Sequence, residues 1–374
     1  MENFLVGLYG SKSYEGGTYN MLAGFIAAVH DALESKGIPV KFMNELAKEG
    51  EIPNITISFN TSGFDAWDTT ISQGRPHIMW GVNSPFLFLP AIEKFKDIQH
   101  FIYAAVSPVD QYAMNHFFPD ITYLYLQHGY DPKLWYYDDT EKEYDLIYMS
   151  SLKDYSADIE ALKSQLDPGM YAIFMEMLDY AMRNTNVSFW NIFNSFAPLY
   201  NYSIDEISFY YIYFLTLSYA VTYQKRIEMV KSLKDFNLKV WGDPLWEKYI
   251  EGKVEYMGSA NLLEATEIVR KSRIVLHQQP MQTIFGSHER VLHAMASNSF
   301  VISDKNPQLK LSFEDKISFY NHNEIENLPD IVNEHLKNKE ATFLKAQQGR
   351  EIVLNNHTWA HRISLLMKLL LGTN

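Results

Sequence analysis

Short apolar segments of strand length recur along this chain, separated in its first third by helix-length pieces, and that alternation limits its folds more than any other feature. Phe4–Gly10, Pro39–Met43, Ile55–Phe59, His77–Val82, His100–Ala105 and Thr122–Gln127 read as strands. Between the first two lies a helix capped by Thr18 and ended by Gly37, with Met21, Leu22, Phe25, Ile26, Val29 and Leu33 on its apolar face. Further helix-like pieces fall around Asp65–Gln73, Phe88–Phe95 and Pro108–Phe118. Strands joined through helices cross over the sheet, so this rhythm predicts a parallel, doubly wound sheet.

The turn-rich stretch His128-Gly129-Tyr130-Asp131-Pro132 closes that half, and the charged run Asp138–Glu143 reads as a linker. A strand restarts at Tyr144–Met149, but residues 155–232 are helical and aromatic, an insertion after the first strand of a second sheet. Strands resume at Leu238–Trp241, Val254–Met257, Ile274–His277, Phe300–Ser303 and Ile317–Tyr320. Helices Leu262–Lys271, His288–Ala296, Glu324–Lys337 and Ala341–Asn355 separate or follow them, and an amphipathic helix runs from Thr358 to Leu371. The fold class is therefore α/β, with a Rossmann-like domain at 1–137, a second at 138–357 that includes the insertion, and a C-terminal helix at 358–374 packing back toward the first domain. Ligands of open α/β sheets bind beyond the carboxyl ends of the strands. Two such edges facing a cleft suit an enzyme with two substrates.

Composition narrows the chemistry. With 32 basic and 45 acidic residues the net charge is −13, which disfavours nucleic acid and anionic lipid as partners. The absence of cysteine excludes disulfides, iron–sulfur clusters, thiolate zinc and cysteine nucleophiles. The N-terminus lacks a basic leader with an apolar run, and the most apolar stretch, Ile207–Val221, is too short and too interrupted by Ser and Thr to span a bilayer, so the chain is expected to be soluble and cytoplasmic. No Walker loop, no G-x-G-x-x-G after a strand and no G-x-S-x-G is present, which argues against a P-loop NTPase, a dinucleotide dehydrogenase and an α/β-hydrolase. His357 and His361 stand four apart without a completing Glu, and His288 and His293 fall on different helix faces, so no metal site is expected.

The most informative segment is Ile274–Asp304. A strand ends in His277-Gln278-Gln279-Pro280, a loop passes through Phe285-Gly286-Ser287, and a helix opens with His288-Glu289-Arg290. A helix starting at a Gly-Ser turn offers free N–H groups and a positive dipole end to an anion such as a diphosphate, and Arg290 in its first turn adds a bidentate donor. The alternative reading makes Ser287 an N-cap and Arg290 half of a surface ion pair.

This segment resembles the donor-binding helix of GT-B glycosyltransferases, in particular those similar to spore-maturation protein CgeB. There an Arg, two hydrophobic residues, then Glu-Ala-hydrophobic-Ala-Cys-Gly precede a strand; here the run is Arg290-Val291-Leu292-His293-Ala294-Met295-Ala296-Ser297-Asn298. Lys239-Val240-Trp241-Gly242-Asp243-Pro244-Leu245-Trp246, Val254-Glu255-Tyr256-Met257-Gly258 and His357-Thr358-Trp359-Ala360-His361-Arg362-Ile363 resemble three further motifs of that group. Pro76–Pro85 and Gln127–Asp131 are similar to its N-terminal domain. His293 stands where many such enzymes have a Glu that holds the ribose hydroxyls, and the partner position of that pattern falls on Phe285.

The resemblance implies donor contacts from Gly242, Asp243, Met257, Gly258, His277, Gly286, Ser287, His288 and His293. It also implies diphosphate contacts from Ser150, Ser151 and Lys153 after the first strand of the second sheet. Glu289 is the nearest carboxylate for sugar hydroxyls, or else a surface ion pair. The Gly16-Gly17 loop would face the cleft. Glu15 is either a base for the acceptor hydroxyl or a solvated loop carboxylate, and His128 either a base or a buried structural histidine. Asn83 and Trp80 end a strand at the acceptor side, with core packing the other reading of Trp80. The activity implied is transfer of a sugar from a nucleoside diphosphate donor, such as a UDP-sugar, to a hydroxyl on a glycan or protein. The departing diphosphate would be held by N–H groups, Arg290 and Lys153 without a metal or other cofactor. A non-catalytic nucleotide- or glycan-binding protein and a DNA base glucosyltransferase are the alternatives. Donor, acceptor, stereochemistry and oligomeric state stay open.

Overall fold

The structure is a computed structural model that describes residues 4–10, 21–61, 74–96, 100–184, 187–196, 207–286 and 288–371. The chain forms two compact units, Met1–Asp131 with Asn356–Asn374, and Pro132–Asn355.

The first unit holds six strands: β1 (Val6–Leu8), β2 (Val40–Phe42), β3 (Ile55–Phe59), β4 (His77–Gly81), β5 (Phe101–Ala105) and β6 (Thr122–Tyr125). They pair in the order β2-β1-β3-β4-β5-β6, parallel throughout. Helices α1 (Met21–Ser35), α2 (Met43–Glu49), α3 (Leu89–Glu93) and α4 (Asp110–Phe117) connect them. The helix expected at Asp65–Gln73 lies outside the described residues. α2 replaces the end of an expected strand, because the Glu45 carboxylate accepts from the Phe42 N–H at 3.0 Å and turns the chain into a helix.

The C-terminal helix, Trp359–Leu371, packs on α1 in this unit. Trp359 is 2% exposed, with its ring 5.0 Å from Phe25, 5.7 Å from Phe59 and 5.4 Å from Trp80. Fully burying one such ring is worth roughly 1.5–3 kcal/mol. Polar ties fix the entry of the helix. The Tyr130 N–H donates to the His357 carbonyl at 3.0 Å, and the Trp359 N–H returns to the Tyr130 carbonyl at 3.2 Å. A Cβ on Gly129 would lie 2.8 Å from the Trp359 backbone nitrogen, so glycine is needed for that approach. Buried Arg362 donates to the His128 carbonyl at 2.9 Å and the Asn356 carbonyl at 3.1 Å.

The second unit carries β7 (Tyr144–Ser150), β8 (Leu238–Gly242), β9 (Glu255–Tyr256), β10 (Ser272–His277), β11 (Phe300–Asp304) and β12 (Ile317–Tyr320). Their order is β12-β11-β10-β7-β8-β9, again all parallel. Chain order therefore reverses between β7 and β10. The insertion supplies α5 (Ser156–Gln165), α6 (Pro168–Arg183), α7 (Phe189–Phe196) and α8 (Ile207–Ser232). Then come α9 (Leu262–Arg270), α10 (Glu289–Ala296), α11 (Pro307–Phe313), α12 (Leu328–Lys337) and α13 (Lys339–Asn356). α11 is not expected from periodicity, being under two turns long. Its signal is local: the Asn306 side chain accepts from the Gln308 and Leu309 N–H groups ahead of Pro307.

α8 belongs to both the insertion and the sheet. Its first half buries Tyr210 against Phe193 (4.0 Å), Phe214 against Phe189 (4.6 Å) and Tyr213 against Phe174 (5.8 Å). Its second half sends Met229 and Val230 into the core formed by Leu146, Val240, Ile274, Leu276 and Ile302. No helix among the described residues is long and apolar enough to cross a membrane.

Candidate active site at the second sheet

The reversal between β7 and β10 is the place where a parallel sheet leaves a crevice beyond its strand ends. β7 ends there at Ser150 and β10 at His277. Two guanidiniums converge on it. Arg226 of α8 donates from Nη1 to the Ser151 carbonyl at 2.8 Å and the Ser151 hydroxyl at 3.2 Å. Arg290, in the first turn of α10, donates from Nη1 to the Met149 carbonyl at 2.9 Å. Arg226 is only 5% exposed, and its Nε has no partner among the described residues. Burial lowers its pKa, and the neighbouring charge of Arg290 lowers it further. Lys225, 2% exposed, is pushed down to about 8 by burial, against the opposing pull of Asp304 and Glu228.

The floor of this edge is polar. His277 pairs its Nδ1 with the Ser303 hydroxyl at 2.9 Å, while its Nε2 has no partner among the described residues. Burial, then the charges of Arg290 and Arg226, push its pKa to about 3, so the ring is a neutral hydrogen-bonding group. The Asp304 carboxylate accepts the Gln279 N–H at 2.7 Å, and burial raises its pKa to about 6. α8 is pinned here by the Thr222 hydroxyl, which accepts the Met281 N–H at 3.1 Å, and by the Glu228–His322 contact at 2.8 Å. A site where a buried and a half-buried guanidinium, Arg226 and Arg290, both bond main-chain carbonyls can accept a multiply charged anion.

The other residues singled out by sequence divide by place. His288 caps α10, its Nδ1 accepting from the Arg290 N–H, and its ring lies 5.0 Å from that of His277. The Glu289 carboxylate is 3.4 Å from the His288 ring nitrogen. The structure thus brings Ser150, Ser151, His277, His288, Glu289 and Arg290 to one edge. Gly242 and Asp243 sit at the end of β8 and shape it. A Cβ on Gly242 would meet the Ser150 carbonyl oxygen at 2.0 Å, with φ at +153°. The Asp243 carboxylate accepts the Leu152 N–H at 2.7 Å, and the Trp246 indole donates to the Ser150 carbonyl at 2.8 Å. The Gly242 N–H donates to the Gly258 carbonyl at 3.0 Å, while Met257 is exposed. Gly286 is held through its carbonyl by the Asn306 amide at 3.1 Å.

Lys153 does not join the cluster. Its ammonium pairs with Asp158 at 3.4 Å, on a side chain 60% exposed, and Arg226 stands at the strand end where Lys153 was expected. His293 is 2% exposed and stacks on Trp135 at 4.0 Å with an interplanar angle of 3°. Trp80 is fully buried between Phe59 and Trp359, which corrects the expectation of an acceptor contact: its ring has no surface to offer. His128 is 1% exposed with Nε2 on the Val82 carbonyl at 3.2 Å, so it is the buried structural histidine of the two readings. Asn83 follows β4 and is half-buried. Glu15, Gly16, Gly17 and Ser287 lie outside the described residues.

Lys225 and Arg226 are the functional candidates that sequence reasoning misses. Their signal is two adjacent cations, in Tyr223-Gln224-Lys225-Arg226, directly after the long apolar and aromatic run of α8.

Residues 224–368 match a family described as glycosyl transferase-like. The match begins just before the two cations and runs through α10 into the C-terminal helix. No curated protein matches the sequence. Among solved structures, sucrose-phosphate synthase from Thermosynechococcus elongatus is similar over 100% of both chains, with 10% identity and a TM-score of 0.61. Anabaena HepE in complex with UDP-glucose is similar over 99% of both chains, with 12% identity and a TM-score of 0.54. A glycosyltransferase from Rickettsia africae is similar over 100% of both chains, with 12% identity and a TM-score of 0.53. The fold, two parallel six-stranded α/β units, is that of the GT-B glycosyltransferases.

Proposed function

We propose that this protein is a glycosyltransferase that moves a sugar from a nucleoside diphosphate donor to an acceptor hydroxyl on a glycan or protein. The observation that carries the reading is the convergence of Arg226 and Arg290 on the end of β7, at the switch point of the second sheet. The glycosyl transferase-like match over 224–368 supports it. Solved forms of HepE hold UDP-glucose, UDP, or UDP with glucose, which makes a UDP-sugar the first donor to test.

In such a reaction the bond between the anomeric carbon and the diphosphate oxygen breaks, the acceptor hydroxyl oxygen forms the new bond, and its proton passes to the departing diphosphate or to water. Charge grows on the leaving diphosphate. The two guanidiniums are preplaced to meet that charge, which is where electrostatic catalysis gains most, and the Lys225 ammonium, which feels the Asp304 carboxylate, adds to the positive field. These fixed cations supply the neutralisation a metal provides elsewhere, so the proposed reaction needs none. The resemblance to CgeB-like enzymes favours a hexose as the sugar.

The test is binding of UDP, UDP-sugars and the corresponding guanosine and adenosine compounds, read by thermal unfolding. A ligand at 100 times its dissociation constant adds about 2.7 kcal/mol of stability. One nucleotide class stabilising the wild type but not Arg290→Ala supports the proposal. No shift with any of them refutes it.

A further inference from the structure

The insertion carries a surface that the diphosphate cluster does not use. On α8, Tyr211, Leu215, Tyr219 and Tyr223 stand four residues apart and form one slanted row, all of them half-buried. The helix packs on its neighbours with a different set, Tyr210, Tyr213, Phe214 and Leu217, each fully buried. Tyr223 also packs against the core of the sheet, whereas Tyr211, Leu215 and Tyr219 stand outside that core set. Tyr155, just before α5, extends it sideways: its ring lies parallel to Tyr219 at 5.3 Å and tilted to Tyr223 at 4.9 Å. The row starts at the candidate site, since the Arg226 guanidinium sits 5.2 Å from the Tyr223 ring centre. From Tyr223 to Tyr211 it covers about 18 Å at the helical rise.

We propose that this tyrosine row is a track for the saccharide portion of the acceptor, leading to the donor site; this rests on the glycosyl-transfer reading above. A pyranose ring has a flat face of C–H groups and a rim of hydroxyls. Phenol rings match both, with an apolar face and a hydroxyl at the edge. Burial raises the pKa of Tyr155 and Tyr219, so their hydroxyls stay neutral and can both donate and accept. Besides Arg226 at the Tyr223 end, the Lys153 ammonium lies 4.8 Å from the Tyr155 ring, on an exposed side chain that an incoming ring displaces at small cost. A lipid chain would call for aliphatic side chains, and the row offers only Leu215, with Ile212 beside it.

The experiment measures binding of malto-, cello- and chito-oligosaccharides of increasing length to the full chain by calorimetry, with nucleotide binding followed in parallel. The expected result is affinity for one series that grows over the first few sugar units. Tyr211→Ala and Tyr219→Ala lower it at least tenfold, and Tyr219→Phe lowers it less, while all three keep the nucleotide-induced thermal shift. That retained shift shows that the variants are folded. Nucleotide binding without oligosaccharide binding, or variants that bind saccharide as the wild type does, overturns the track and leaves the transfer reading intact. Absence of nucleotide binding overturns the transfer reading itself. Variants that change the sedimentation of the protein rather than its saccharide affinity identify a second copy as the occupant, and the track fails.

Discussion

Arg226 and Arg290 hold the same strand end from two different helices, Arg226 on the Ser151 carbonyl at 2.8 Å and Arg290 on the Met149 carbonyl at 2.9 Å. Their charges act on each other, since Arg290 helps to lower the pKa of Arg226. Main-chain carbonyls are neutral acceptors and do not cancel that repulsion. A bridging anion does, and this is the physical reason to read the pair as a binding element.

Arg290→Ala therefore costs nucleotide affinity while sparing the fold. A charged hydrogen bond is worth about 1.5–3 kcal/mol, so the dissociation constant rises by roughly one to two powers of ten. The thermal stability of the free protein stays level or rises, because a like-charge contact is removed. Arg226→Ala loses the same affinity and also stability, because the 5% exposed side chain leaves a void where it packed and its bonds to Ser151 are lost. Calorimetric titration with UDP, beside melting curves without ligand, separates the two behaviours.

Nucleotide affinity also depends on pH through Lys225. With its pKa near 8 in the free protein, the ammonium is charged at neutral pH and discharges as pH rises past that value. A bound diphosphate favours the charged form, so affinity is full below about 8 and falls above it. Lys225→Met binds more weakly at pH 7 and shows no further fall over that window. Dissociation constants measured from pH 6.5 to 9.5 decide the matter; parallel curves for the two proteins would remove Lys225 from the site.

At the end of β8, Gly242→Ala tests the joint that sequence flags only as a motif. Its added methyl carbon would sit 2.0 Å from the Ser150 oxygen, where only backbone can move, and φ is +153°. Overpacking of this kind costs typically 1–3 kcal/mol, and here the conformational strain adds to it. Chemical denaturation followed through the nearby Trp241 and Trp246 fluorescence reads the loss; a variant of wild-type stability would mean the β7–β8 joint opens freely.

The sheet elements were legible because each buried parallel strand is a short apolar run bounded by turns. Ile55–Phe59 and Ile317–Tyr320 appear with the expected ends. Short helices such as α2 and α11 were not, since under two turns of pattern carry no periodicity and only their caps betray them. At the candidate site, Arg290 and His277 were legible because they belong to a contiguous strand–loop–helix segment. Arg226 was not, because its partner Ser151 lies across the whole insertion and contact at that separation leaves no local trace. Lys153 was chosen by position in the loop, yet its ammonium finds Asp158 nearby and stays in solvent.

His293→Glu brings together what resemblance and packing say about one position. It restores the carboxylate that many GT-B enzymes carry there, but the imidazole it replaces is 2% exposed and lies flat on Trp135 at 4.0 Å. A carboxylate in that slot is desolvated, which raises its pKa above the unfolded value of about 4. The native state then keeps a proton that the unfolded state releases, so stability falls as pH rises above about 4 and the loss is largest near neutrality. The expected loss at pH 7 is on the order of 3 kcal/mol, with no gain in nucleotide affinity. Melting curves at pH 5 and pH 7, with UDP binding at each, test both halves. A stable variant that binds UDP more tightly than the wild type would mean that Trp135 leaves the position when a nucleotide arrives, and that the ribose sits where the resemblance puts it.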